Sequence, residues 1–209
     1  MKLFDASLAP SPRRVRMFLA EKGLDVPRVE VDIGAAENLG AEYLAMNPRG
    51  LVPTLLLDDG TVIDESMAIC RYFEELHPEP PLMGRDPLEK ATIECWNRRV
   101  EFDAGIPLMD GFRNAHPRFA ERAVPGRAGF RAIPELAERG RVRMDEFYRA
   151  LDARLAVSDH VAGPAFSVAD ITALCLLDFA RVVRMPWPEE LEAIGRWHAR
   201  VSARPAAKA

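Results

Sequence analysis

Cysteine is scarce in this chain of 209 residues: Cys70, Cys95 and Cys175 are odd in number and far apart, and no C-x-x-C occurs. That excludes a disulfide framework and a dithiol redox motif, and reads as reduced thiols of a cytosolic protein. The four histidines, His77, His116, His160 and His198, share no metal-ligand spacing, so no metal is expected. No apolar run approaches the length of a membrane span, and Met1 leads directly into Lys2-Leu3-Phe4 rather than into a leader segment. Lysine is limited to Lys2, Lys22, Lys90 and Lys208; the other basic residues are arginines scattered along the chain. With a net charge of -4, that scatter reads as an arginine bias and excludes a nucleic-acid surface.

What remains is an ordinary globular composition, 48% hydrophobic and 29% charged. The first 76 residues read β-α-β-α-β-β-α. Lys2-Leu3-Phe4 is a strand, and Ser11-Pro12 is expected to open a helix with Ser11 as its N-cap, ended by Gly23. Arg28 to Ile33 alternates as a half-buried strand, and Glu37 to Met46 reads as a weaker helix stopped by Asn47-Pro48. Thr54 to Leu57 and Thr61 to Ile63 flank the turn Asp58-Asp59-Gly60, and Ser66 is expected to cap the next helix. His77-Pro78-Glu79-Pro80-Pro81 then marks a boundary. The organisation expected is a small α/β domain over 1–77, a linker over 78–86 and an all-helical bundle over 87–209.

In the helical part, Pro87 to about Gly111 should be interrupted near Gly105 and Pro107. Arg113 to Phe130 reads as a loop with one helical turn, and Ile133 to Val157 as a long helix. Ser167-Val168-Ala169-Asp170 has capping-box spacing ahead of a helix apolar nearly all round, the expected centre of the bundle. Ser167 and Asp170 are therefore assigned structural roles. A last helix carries Leu191, Ile194, Trp197 and Val201.

The organising stretch is Asn47 to Leu57. Pro53 cannot donate to a sheet ladder, so it belongs at a strand's start. If its peptide bond is cis, Val52 turns its own N–H and C=O outward, towards an extended ligand. Glu65-Ser66 lies at a helix start, which suits an anion. A cap serine with a solvated neighbour is the plainer reading of that pair alone. Together the two points suggest a docked acidic peptide.

These motifs carry a resemblance. Arg14-Val15-Arg16 to Gly23, Asn47 to Pro53, Asp64-Glu65-Ser66 with Ala68-Ile69, Phe166 to Asp170 and Trp197 to Pro205 make the chain similar, from end to end, to the cytosolic glutathione transferase superfamily, most nearly its zeta-like microbial branch. The resemblance implies a thioredoxin-like first domain, a helical second domain, a cytoplasmic homodimer, and glutathione as cosubstrate with a small hydrophobic electrophile. Val52 and Pro53 would meet the cysteinyl backbone, Glu65 and Ser66 the γ-glutamyl group, and Arg49 the glycine carboxylate. Ala9 stands where the pattern places a catalytic Ser or Cys, which argues against a thiol-reductase reaction and leaves Ser11 or Ser7 as the hydroxyl. Ser11 serves equally as a plain cap. Arg113, Asn114 or His116 could assist through water. Arg13, Arg14 and Arg16 oppose the dipole of the first helix and hint at a nearby anion. Leu8, Ile106, Met109, Phe112 and Phe119 are candidates for an electrophile pocket. A non-catalytic binding protein and a zeta-type isomerase remain as alternatives.

Overall fold

A computed structural model describes residues 1–209. Four short strands form one sheet in the order β2-β1-β3-β4: β1 (Lys2–Asp5), β2 (Arg28–Glu30), β3 (Thr54–Leu56) and β4 (Val62–Ile63). β1 runs parallel to β2, with Leu3 opposite Arg28, and antiparallel to β3, with Phe4 opposite Thr54. The crossover between the parallel pair is α1 (Pro10–Glu21). Then come α2 (Ala41–Met46) and α3 (Ser66–Leu76). This is a thioredoxin-like half, and everything after it is helical: α4 (Pro87–Val100), α5 (Ile106–Arg113), α6 (Pro134–Leu155), α7 (Val168–Val182) and α8 (Glu192–Ser202).

Several boundaries differ from the sequence expectation, each for a local reason. α1 starts at Pro10, with Ala9 as the extended N-cap residue, so Ser11 sits inside the first turn and is not the cap. Both Pro10 and Pro12 suit a first turn, and the earlier one sets the start. Ser66 is likewise the first residue of α3, preceded by Glu65 in extended conformation. β2 ends at Glu30 because the backbone turns away just beyond: the Asp32 N–H donates to Glu37 Oε2 at 2.7 Å. The helix expected over Glu37 to Met46 divides at Gly40, whose backbone is extended. Between α4 and α5 the chain widens into a π turn over Glu101–Gly105. Pro107 cannot donate to the carbonyl four residues back, and the widened turn absorbs that loss.

One apolar core runs through both halves, from Leu3, Phe18 and Leu55 to Leu108, Met144 and Trp197. α7 supplies its centre, with Ile171, Leu174 and Leu177 fully buried. Burying side chains of that size contributes about 1.5–3 kcal/mol each. Asp170 anchors the start of α7. Its carboxylate accepts the Ser167 N–H at 3.1 Å, the Val161 N–H at 3.0 Å and the Trp197 indole N–H at 2.9 Å, and the residue is completely buried. Three segments, the loop before α7, its first turn and α8, thus share one acceptor group.

α1 joins the halves. Its arginines each find a carboxylate: Arg13 with Asp178 at 2.7 Å, Arg14 with Glu101 at 2.7 Å and Arg16 with Asp5 at 2.6 Å. The cations at the start of α1 are therefore neutralised within the protein and call for no external anion.

Candidate functional site

A cavity of about 210 Å³ opens where the first turn of α1, the Val52–Pro53 loop and the start of α3 face α5 and the connection from α5 to α6. Ser11, Val52, Pro53, Glu65 and Ser66 all line it. Residues far apart in sequence thus meet at one place.

Val52–Pro53 is a cis peptide. The N–H and C=O of Val52 have no hydrogen-bond partner in the chain. The loop around them is fixed: the Leu51 carbonyl accepts from Tyr43 Oη at 2.6 Å and from Asn47 Nδ2 at 3.0 Å. Thr54 Oγ1 is held by Asn47 Nδ2 at 2.8 Å. Burial pushes the Tyr43 hydroxyl up, against the opposing hydrogen bonds of Thr54 and Asn47, so it stays a neutral donor. Unsatisfied groups on a rigid loop form an open, strand-like edge for an extended peptide.

At the start of α3, Ser66 is buried, and its Oγ accepts from Arg14 Nη1 at 3.1 Å. Glu65 projects beside it, with Arg49 Nη1 3.7 Å from its carboxylate and 3.5 Å from that of Asp64. Arg49 is thereby engaged with acids and does not line the cavity.

At the start of α1, Pro10 and Pro12 carry no N–H, and the Arg13 N–H donates to the Ala9 carbonyl at 3.2 Å. Ser11 alone is left with a free backbone N–H in that turn, and its Oγ is also unpartnered. Two donors on one residue therefore sit at the positive end of the helix. Ser7 is occupied elsewhere, its Oγ donating to Glu30 at 3.0 Å. No cysteine lines the cavity. Burial pushes the Cys70 and Cys175 thiols up to about 12 and about 11, which keeps them inert; Cys95 is exposed.

Of the apolar candidates, Met109 lines the cavity. Leu8, at 87% exposure, and Ile106, at 48%, face solvent instead. Phe112 packs edge-on against Phe119 and Phe179, each at 5.3 Å, and His116 stacks on the same cluster. These rings support α5 from behind rather than facing the cavity. Arg113, Arg122, Gly126 and Arg127 do face it, and of these the sequence points only to Arg113. The available signal was an arginine-rich, Gly/Pro-broken connection between two helices.

That connection lies against the first half. Arg122 donates to the carbonyls of Ile33 at 3.1 Å and Gly34 at 2.7 Å. Gly126, at φ +70°, lets the backbones touch: a Cβ there would lie 2.2 Å from the Arg49 carbonyl oxygen.

Family models for the glutathione S-transferase N-terminal and C-terminal domains match residues 9–76 and 111–205. The chain is 36% identical to glutathione S-transferase 2 of Saccharomyces cerevisiae over all of its own length and 88% of that protein. It superposes on the crystal structure of Gtt2 from the same yeast with a TM-score of 0.92, covering 100% of this chain and 99% of the other. This chain belongs to the glutathione S-transferase family. Its likeness to the zeta-type branch is narrower: the maleylacetoacetate isomerase of Pseudomonas aeruginosa is 42% identical, but over only 44% of each chain. Full-length likeness is also found to FtsZ-localized protein A of Caulobacter vibrioides, 31% identical over 95% of this chain and 85% of that protein.

Proposed function

We propose that this glutathione S-transferase activates the thiol of glutathione at the start of α1 and adds it to a small electrophile. The supporting observation is the meeting of three features in one cavity: the unpaired N–H and C=O of Val52, the Glu65-Ser66 helix start, and the free Ser11 donors. Val52 would pair with the cysteinyl backbone, and Glu65 and Ser66 would hold the γ-glutamyl ammonium and carboxylate. An ordinary thiol has a pKa of about 8.5, and donors at a helix N-terminus lower it. The Ser11 N–H and Oγ would then stabilise the thiolate sulfur. With an aryl chloride, the sulfur forms the new bond to carbon, chloride departs, and the thiol proton goes to solvent. Fixed positioning lowers the entropic cost of the encounter.

The setting we propose is a cytoplasmic homodimer. Phe102 and Ile106 lie one turn apart and are exposed, 53% and 48%, which suits an apolar contact between copies. Size-exclusion chromatography with light scattering tests that part. For the reaction, calorimetry with glutathione and turnover of 1-chloro-2,4-dinitrobenzene are the direct measurements. Binding at micromolar to millimolar concentration together with turnover is expected; absence of both ends this reading.

A further inference from the structure

Arg113, Arg122 and Arg127 line the helical side of the cavity, and none of them pairs with a carboxylate. Arg113 donates to the carbonyls of Ala123 at 2.8 Å and Arg122 at 2.6 Å. Arg122 bonds only carbonyls, those of Ile33, Gly34 and Arg118. The Arg127 side chain makes no hydrogen bond, and the residue is exposed. Carbonyl partners orient a guanidinium but leave its charge unbalanced. Arg204, by contrast, holds Glu21 bidentately at 2.6 and 2.7 Å, while Arg154, away from the cavity, likewise has only a carbonyl, that of Val161 at 3.0 Å.

Two of these cations are also packed side by side. Arg113 and Arg122 lie 4.1 and 5.3 Å from the centre of the Phe119 ring. Burial first, and then the charge of Arg122, pushes the Arg113 guanidinium down to about 10. Burial is the larger cause, and the neighbouring cation adds to it. The acids of the cavity, Asp64 and Glu65, already have Arg49 beside them.

We infer that Arg113, Arg122 and Arg127 form a carboxylate-binding subsite, contributed by the helical half to a ligand held by the first half. The inference rests on the transferase reading above. A carboxylate there has two sources: the glycine end of glutathione, or an acidic group on the second substrate. Arg49, the residue expected at the glycine carboxylate, is replaced in that role in the first case. In the second, the acceptor class is an anionic electrophile such as a halonitrobenzoate.

The test compares matched acid and neutral pairs in the wild-type protein and in the variants Arg127→Ala and Arg113→Gln. Glutathione is set against its glycyl ethyl ester, and 4-chloro-3-nitrobenzoate against 4-chloro-3-nitrobenzamide, by kcat/KM. The acid-to-neutral ratio should fall roughly threefold in Arg127→Ala, an exposed charge. In Arg113→Gln it should fall about tenfold, as expected for a half-buried one. A fall in the glutathione pair assigns the subsite to the tripeptide, and a fall in the benzoate pair assigns it to the acceptor. Ratios cancel any general loss of activity, and Arg127→Ala decides alone if Arg113→Gln does not fold. Active protein with both ratios unchanged overturns the subsite and leaves the transferase reading standing. Wild type that neither binds nor turns over glutathione overturns both.

Discussion

Arg14 Nη1 stands 2.7 Å from Glu101 Oε1 and also donates to Ser66 Oγ. A helix of the first half, the π turn of the second and the start of α3 are thus tied through one nitrogen. Glu101→Ala leaves a buried cation unpaired, which costs about 3 kcal/mol. In a chain of this length that lowers Tm by roughly 6–12 °C. Arg98→Ala removes the exposed partner of the same carboxylate, at 2.9 Å, and should cost under about 1 kcal/mol. Thermal melts of the two variants check the contrast; equal shifts would show that burial does not decide it.

Ser11→Ala removes the Oγ donor and keeps the backbone N–H. If the hydroxyl contributes to thiolate stabilisation, the pH–rate profile moves to higher pH, and kcat/KM at neutral pH falls about tenfold, the equivalent of roughly 1.4 kcal/mol. An unmoved profile would assign the role to the N–H alone. Ser11→Pro, which removes both donors, then becomes the deciding variant.

Asp170→Ala strands three buried donors at once. Destabilisation of about 3–5 kcal/mol is expected, with glutathione affinity of the folded fraction unchanged. Denaturant titration and calorimetry measure the two separately. An unchanged midpoint with lost catalysis would place Asp170 in the chemistry instead.

Acid should loosen the junction of α1, α7 and α8. Burial works to raise the carboxyl pKa of Asp178, but His198 at 2.6 Å and Arg13 at 2.7 Å outweigh it and hold it below the ordinary value of 3.8. A depressed carboxylate contributes stability above its unfolded pKa and loses it as pH falls towards the folded one. Denaturation midpoints should therefore fall below about pH 4. In Asp178→Asn that part of the acid dependence should be absent.

Gly126→Ala places a Cβ against the Arg49 carbonyl in a left-handed backbone conformation. The connection from α5 to α6 must lift away from the Asn47–Val52 loop. Faster amide exchange over residues 117–130 and weaker glutathione binding are expected, with Tm little changed because this connection lies outside the main core. Unchanged exchange would show that the contact adapts.

The fold was legible because its signals are local. Gly23, the Asp58-Asp59-Gly60 turn, the Ser167-to-Asp170 spacing and the apolar surface of α7 each act within a few residues of themselves. Proline misled at α1 for the same reason: Pro10 and Pro12 are both good first-turn residues, and local chemistry does not choose between them. The cavity was half legible. Val52, Glu65 and Ser66 belong to motifs, whereas Arg122 and Gly126 matter only because a loop returns to residues 33–34 and 49–50, almost ninety positions earlier for Arg122. No short-range pattern encodes such a return. Leu8 and Ile106 lie outside the cavity lining, since apolarity alone does not say which way a residue faces.

Arg122 grips main-chain oxygens, not side chains. Every amino acid carries that oxygen. The Arg122 clasp therefore depends on identity at its own end and not at the end it grips: exchanges at Ile33 leave its handhold in place, while losing the guanidinium at 122 removes both bonds.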